Sequence, residues 1–471
     1  MKTLVWVRRD FRLHDNPALF QAACKGEVVP VFIWDPHDDD EWMPGAASRV
    51  WLHHALLDFS RALKGVGSRL VIRKGRSGDV LLQIAKEYLI DKVSWNRAYE
   101  PASIKRDQAI KTRLRQEGLE VESYQGDLLV EPWKLKNKQG EPYKVYTAFW
   151  NQLIATAEIP KPLESVRSLS YKGKWPESTD VESLQLLPKI RWDKKMMSSW
   201  QVSESAALQM MEKFIDGSIA DYTSHRDRPD ITGTSKLSPH LHFGQISPRE
   251  LWQKIPKKAV NQPFLRQIVW REFAFHLMFH FPHSTNSNLR KSFDAFPWIQ
   301  NKKDLKNWQT GHTGYPIVDA GMRELWHTGW MHNRVRMIVA SFLVKHLLID
   351  WKEGAKWFWD TLVDADLANN SMGWQWVAGS GADAAPYFRI FNPITQGERF
   401  DPEGLYIQKW IPEIAKLSPP WIFRPWEAKA EILEKAGIKL GKNYPLPIID
   451  HDFARRRALT AYDKTKDKKI S

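Results

Sequence analysis

The spacing of hydrophobic residues changes once along this chain of 471 residues, near position 130, and the change limits the fold more than any other feature. Before it, five β-rich runs (4–7, 28–34, 69–72, 92–95 and 119–124) alternate with helical runs at 17–24, 48–63, 79–89 and 103–116. Alternation of this length predicts a doubly wound α/β domain, a parallel sheet covered on both faces. Ser48 and Ser103 are the expected caps of two of its helices. Residues 131–200 turn rich in proline and lysine and predict a long interdomain connection. From about 203 strands are hard to find. Segments 206–215, 264–280, 321–348 and 356–363 predict a mainly helical second domain over 201–471, with a frayed charged tail at 464–471.

A doubly wound sheet suggests a nucleotide, but no GxGxxG follows the first strand and no GxxxxGK[ST] occurs anywhere. An ordinary NAD domain or P-loop enzyme is therefore not expected. Ligands of such sheets gather at the carboxyl ends of the strands, so residues 8–12 and 35–40 are expected ligand loops. The single Cys24 excludes an intrachain disulfide and a cysteine-built zinc or iron–sulfur centre, and is expected as a small buried hydrophobe in a reducing compartment. No apolar run approaches 18 residues, and Arg8-Arg9-Asp10 comes too early for a secretory segment. The expected location is the cytoplasm.

The formal net charge is +14, of which the first 130 residues carry only +2, so a polyanion is the expected partner and residues 131–471 its binding region. Tryptophan is unusually frequent: of 24, five precede residue 131 and fourteen lie between Trp252 and Trp426. Most are expected in the core; the remainder suit stacking on bases or a flat cofactor, or electron conduction.

Two stretches carry chemistry. Gly233-Thr-Ser-Lys-Leu-Ser238 can offer backbone N–H groups, hydroxyls and a cation to a diphosphate, and equally makes a serine-capped turn. Within 362–376, Asp364, Asp366, Asn370, Trp374 and Trp376 put acids and an amide into an otherwise apolar run. Acids there must be paired or must serve a ligand. His276, His280 and His283 lack the carboxylate and cysteine companions of a zinc site, so no metal is expected. His240 and His242 suit either packing or a ligand.

Several longer motifs resemble the photolyase/cryptochrome family: Trp6-Val-Arg-Arg-Asp-Phe-Arg-Leu-His-Asp-Asn-Pro-Ala-Leu19, the 233–238 turn, Trp270-Arg-Glu-Phe, Thr313-Gly-Tyr-Pro-Ile-Val-Asp319, Gly329-Trp-Met-His-Asn-Arg-Val-Arg336, the 364–376 run and 387–393. They stand in family order over about 1–415. The resemblance implies an α/β antenna domain at 1–130, a linker at 131–200 and a helical FAD-binding domain at 201–471. It implies FAD, active in the reduced FADH⁻ form, held by Tyr222, Thr234, Ser235, Lys236, Leu237, Ser238, Arg271, Arg336, Asp364 and Asp366, with Arg336 paired to Asp364 and Asn370 near flavin N5. An amide at Asn370 does not readily deliver a proton, which favours the anionic donor. Trp298, Trp351 and Trp374 match the electron-transfer tryptophans. Trp270 and Trp376 match the walls of the substrate cavity, and Arg226, Asn333, Arg334, Arg389 and Gln396 match DNA or substrate contacts.

Leu237-Ser-Pro-His-Leu-His-Phe-Gly244 is similar to plant cryptochromes and the class III bacterial photolyases near them. The implied activity is light-dependent splitting of cyclobutane pyrimidine dimers in DNA by electron transfer from photoexcited FADH⁻. The alternatives are a cryptochrome photoreceptor and a six-four photoproduct photolyase. Gln267 departs from the glutamate usual in dimer photolyases. Glu100-Pro-Ala-Ser103 lacks the Asn-Glu pair of folate-binding class I enzymes, which leaves methenyltetrahydrofolate held otherwise, or 8-hydroxy-5-deazaflavin, as the antenna. The expected partner is DNA containing pyrimidine dimers, met by a monomer without membrane or obligate protein partners.

Overall fold

The computed structural model of the chain describes residues 1–36, 41–384 and 388–467. Two compact units are formed, one from 1–217, 235–282 and 363–366, the other from 218–234, 283–362 and 367–471.

In the first unit, β1 (Lys2–Val7), β2 (Glu27–Trp34), β3 (Val71–Lys74), β4 (Lys92–Asn96) and β5 (Glu120–Tyr124) form one parallel sheet in the order β3-β2-β1-β4-β5. Successive side chains of β1 face opposite ways. Val5 and Val7 pack with Ala18, Leu19, Trp51 and Leu56 from α1 (Pro17–Lys25) and α2 (Ala46–Gly65). Leu4 and Trp6 pack with Leu81, Ile84, Ile110 and Leu114 from α3 (Ser77–Glu87) and α4 (Pro101–Gln116). The predicted doubly wound domain is therefore present, with both faces covered.

Local details differ from expectation. β3 starts two residues later than the 69–72 run, because Arg69 lies over the Trp175 ring and donates to the Pro176 carbonyl at 3.0 Å. Ser48 and Ser103 are not caps but lie within their helices, which Gly45 and Glu100 precede without a side-chain cap bond. Pro101 opens α4, since a proline at the first position forfeits no helical hydrogen bond. Cys24 is exposed, not buried. Residues 131–200 lie along the α/β sheet: Val28 N donates to Ser170 O at 2.9 Å, Leu169 N to Val66 O at 2.8 Å and Thr179 N to Ile72 O at 3.0 Å. Val166, Leu169, Val181, Leu184 and Leu186 join the same core as β1 and β2.

The expected ligand loop at 8–12 also forms the joint of this unit. Arg12, 2% exposed, donates to the carbonyls of Asp15 (2.8 and 3.1 Å), Gly126 (2.6 Å) and Gly244 (2.9 Å). Gly244 has φ +63, and a Cβ there would stand 2.1 Å from the Arg9 carbonyl oxygen, so only glycine fits. Asp15 pairs with Arg249 at 2.8 Å, Glu204 accepts from Leu13 N (2.7 Å) and His14 N (2.9 Å), and Arg8 pairs with Asp107 at 2.6 Å. Of the second expected loop, Asp35 accepts from Ser77 N at 3.0 Å at the start of α3, and residues 37–40 lie outside the described residues.

The second unit is helical among its described residues. The expected helix 321–348 is divided: Pro316–Thr328 ends at Gly329 (φ +67), and His332 caps Asn333–Ser341, its Nδ1 accepting from Arg334 N at 3.2 Å. A π turn, Phe342–His346, follows. The expected 356–363 helix begins earlier and ends sooner, at Trp351–Thr361; the expected 206–215 helix belongs to the first unit, as Glu204–Lys213 continued by a π turn, Phe214–Ser218. The Thr313–Asp319 motif closes on itself. Buried Asp319 accepts from Thr313 N and Oγ1, both 2.7 Å, from Gly314 N at 3.0 Å and from the Tyr444 hydroxyl at 2.9 Å. The tail call at 464–471 falls partly outside the described residues; the helix His451–Asp467 reaches into it.

Two outcomes test this account. Arg12→Met leaves three backbone carbonyls without their charged donor and is expected to cost at least about 3 kcal/mol of stability; a urea unfolding midpoint equivalent to less than about 1 kcal/mol of loss contradicts it. Burial holds His240 and His276 down at about 4 and His346 down at about 3. Below pH 6.5 the unfolded chain binds protons at these three that the folded chain refuses, so stability falls with pH by about 2 kcal/mol per histidine between pH 7 and 5. An unfolding midpoint that is level or higher at pH 5 contradicts this.

Candidate functional site

In the first unit the chain after Thr234 makes a tight turn into the short helix Ser238–His242. Ser235 is half-buried, Lys236 is exposed with φ +54, Leu237 is buried and Ser238 exposed; Leu237 N meets Ser235 Oγ at 3.4 Å. Asp364 and Asp366 are both buried. His242 brings Nδ1 to 3.9 Å from Asp366 Oδ2, and that buried nitrogen has no hydrogen-bond partner among the described residues.

A buried charge cluster surrounds this point. Arg271 donates to the Asp127 carbonyl and to its Oδ1, both at 2.7 Å, and stands 3.5 Å from Glu272. Glu272 accepts from Leu129 N (2.8 Å) and Val130 N (3.2 Å), yet burial outweighs these bonds and the Arg271 charge and pushes it up to about 8. Burial also raises Asp127, whereas Arg9 overcomes burial at Glu100 and holds that carboxyl low. Asp366 contributes to the field at Arg9, Glu100, Asp127 and Arg271, which places it within the same cluster.

On the helix Gln262–His280, Gln267 Nε2 donates to Pro263 O at 3.1 Å, and Trp270 stacks on Tyr146 with centroids 3.7 Å apart and planes 5° from parallel. Sequence reasoning missed Tyr146; its signal was the aromatic run 146–150 inside a proline-rich stretch. Asp127 was missed as a support because its partner Arg271 is distant in sequence, and His242, singled out for packing or a ligand, lies beside Asp366. His276 and His280 do structural work: both contact the Pro132 carbonyl, at 3.2 and 3.1 Å, and His276 Nε2 accepts from Tyr143 N at 3.0 Å. No group of three or more metal-ligating side chains occurs among the described residues.

In the second unit the three tryptophans expected as a relay comprise two buried rings, Trp351 and Trp374, and half-buried Trp298. The buried Trp374 ring lies on Gly354, where a Cβ would fall 2.1 Å from it. Gly354 is about one turn beyond buried Trp351 on the same helix, and Trp351 Nε1 donates to Asn288 Oδ1 at 2.9 Å. Trp298 is half-buried against Phe296, and the next residue, Ile299, bonds through N to Leu348 O at 2.7 Å, just before Trp351. Asn370 Nδ2 donates to Ala355 O at 3.0 Å on the helix that carries Gly354.

Of the remaining expected residues, Tyr222 is buried under Arg226, whose Cζ lies 5.4 Å from its ring centroid, and Thr234 is half-buried. Arg336 Nε donates to Met331 O at 2.8 Å. Arg334 is held by Asp227, with Nη2 to Oδ2 at 2.8 Å. Asn333 is exposed and Gln396 half-buried. Trp376 Nε1 donates to Asp383 O at 3.1 Å, and Trp376 and exposed Arg389 line one cleft with Arg290, Lys345 and Tyr462. Tyr387, in the 387–393 motif, lies outside the described residues.

These residues fit a flavin dinucleotide. The hydroxyl-bearing turn suits a diphosphate, and the orphaned His242 Nδ1 beside Asp366 is polar surface that lacks its complement.

Comparison with known proteins agrees. Residues 3–167 match the family model for DNA photolyase, and 264–464 the model for the FAD binding domain of DNA photolyase. The chain is 48% identical to the deoxyribodipyrimidine photo-lyase of Agrobacterium fabrum over 98% of both chains. It is 39% identical to cryptochrome-2 of Arabidopsis thaliana over 100% of this chain and 80% of that one. The crystal structure of a bacterial class III photolyase from Agrobacterium tumefaciens matches with TM-score 0.95 and 48% identity, covering 99% of this chain and 98% of that one. The Synechocystis cryptochrome matches with TM-score 0.88 and 28% identity over 98% of this chain and 99% of that one. With likeness over nearly its whole length, the chain belongs to the DNA photolyase/cryptochrome family.

Proposed function

We propose that this chain is a light-driven lyase that splits cyclobutane pyrimidine dimers in DNA, a photolyase of the class III branch. The observation that carries this reading is the 48% identity, across 98% of both chains, to a protein named deoxyribodipyrimidine photo-lyase. FAD, bound and reduced, supplies a photoexcitable one-electron donor. Tyr222, Thr234, Arg271, Arg336, Asp364 and Asp366 would hold it together with the turn of Ser235, Lys236, Leu237 and Ser238, whose hydroxyls and cation suit the diphosphate. The Asn370 amide offers a hydrogen bond near N5 but no acidic proton.

Trp270 and Trp376 provide aromatic walls for a pyrimidine pair turned out of the duplex, since the reacting bases must leave the stack to meet the cofactor. Trp270 is rigid in this role because Tyr146 backs one of its faces. Arg226, Asn333, Arg334, Arg389 and Gln396 line the entry for phosphates and base edges, and Gln267 meets the lesion with an uncharged amide. In this reading 1–130 carry an antenna, either methenyltetrahydrofolate or 8-hydroxy-5-deazaflavin, 131–200 connect, and 201–471 hold the flavin and DNA. The protein acts as a cytoplasmic monomer. No helix among the described residues is long and apolar enough to cross a membrane.

The 39% identity to an Arabidopsis cryptochrome favours one second reading, a blue-light photoreceptor. Both readings use the relay of Trp298, Trp351 and Trp374, which carries an electron inward from the surface. Trp374→Phe is expected to abolish blue-light reduction of bound oxidised FAD, at least ~100-fold in rate, while the chemically reduced variant still repairs dimers. Photoreduction at the normal rate contradicts the relay, and a reduced wild type that repairs nothing contradicts the lyase.

A further inference from the structure

Three arginines of the second unit, Arg226, Arg228 and Arg334, each stand close to a carboxylate. Arg334 meets Asp227 with both ends of its fork, Nε to Oδ1 at 3.3 Å and Nη2 to Oδ2 at 2.8 Å, while its Cζ lies 4.3 Å from the Phe400 ring centroid. Arg226 Nε is 4.0 Å from the same Asp227 Oδ1. Arg228 pairs with Asp230 through Nε at 2.8 Å and reaches Glu403 at 3.6 Å. Each of these arginines thus has a carboxylate at hand in a chain whose formal net charge is +14.

Nothing in the fold requires Asp227 to be buried: its side chain is 31% exposed and that of Arg334 17%. An ion pair that keeps contact with solvent adds little to stability, so the pair is better explained by what Arg334 does. A two-pronged carboxylate presents oxygens to a guanidinium much as a phosphate does. A DNA phosphate and Asp227 therefore compete for the same donors.

We propose that Asp227 is an internal competitor for the DNA backbone: it occupies Arg334 and screens Arg226 in the free protein, yields both to a phosphate on binding, and recaptures Arg334 as DNA leaves. The inference rests on the reading that Arg226 and Arg334 face DNA. Its consequence is an affinity set below what the arginines alone would give, and faster release of the strand.

The test is fluorescence anisotropy of the FAD-loaded protein in the dark, with undamaged and dimer-containing duplexes, over a series of salt concentrations. Asp227→Asn is expected to tighten undamaged duplex ~3–10-fold and to slow its dissociation by a similar factor, with the slope of log affinity against log salt little changed, because wild type makes the same phosphate contacts once Asp227 has yielded. Asp227→Glu keeps the competitor and should stay near wild type. In an Arg334→Gln background, Asp227→Asn should tighten binding much less. Asp227→Ser reads the same competition if the Asn variant loses flavin. If wild type binds dimer DNA and Asp227→Asn binds either duplex equally or more weakly, the competitor assignment is overturned, and weaker binding would make Asp227 a support for Arg334. If wild type shows no salt-dependent affinity for either duplex, the DNA-facing reading falls and the competitor with it.

Discussion

The guanidinium of Arg12 is the contact on which the first unit depends. It gathers three backbone carbonyls, from the loop after β1, from Gly126 after β5 and from Gly244. Gly244 follows directly on the Ser238–His242 helix, so the sheet and the expected diphosphate turn are tied within one side chain's reach. A buried guanidinium with satisfied donors is directional where apolar packing is not. It fixes the end of β1 against the 235–244 segment, and Asp15 with Arg249 extends the tie to the next helix. The buried Arg9, Glu100, Asp127, Arg271 and Asp366 cluster then adjoins a frame whose backbone cannot shift freely.

A motif at the carboxyl end of β1, where doubly wound folds hold their ligands, thus also fastens the protein: Arg12 holds backbone carbonyls, and Arg9 joins the buried charge cluster. Periodicity made the sheet, its order of elements and the helical second unit legible, because alternating faces are a local property of the chain. Helix caps at Gly45 and Glu100 were not legible, since Ser48 and Ser103 have cap chemistry and differ from caps only in where the preceding turn stops. The break at Gly329 was hidden inside an apolar run whose period continues across it.

The candidate site was legible as a set of residues and not as a set of partners. Asp364, Asp366 and the 233–238 turn stand out as polar groups in apolar or glycine-marked surroundings. Asp127 and Tyr146 do not, because what distinguishes them is a contact with a residue far away in the chain. Arg334 reads as a free cation in sequence, yet the fold supplies Asp227 to it. The three tryptophans proposed as a relay needed both sources: resemblance singled them out among 24, and the fold buries Trp351 and Trp374 and leaves Trp298 half-buried, with Gly354 leaving room for the Trp374 ring.

These arrangements converge on one claim, that light drives repair of a cyclobutane pyrimidine dimer held against tryptophan walls. The most direct measurement is product analysis after blue-light illumination of the FAD-loaded, reduced protein, with one DNA containing a single cyclobutane dimer and another containing a single six-four photoproduct. Restoration of intact pyrimidines in the first DNA, in the light only, with the second left unchanged, is the result the account predicts. Loss of the six-four photoproduct with the cyclobutane dimer untouched, or no repair of either lesion, would contradict it.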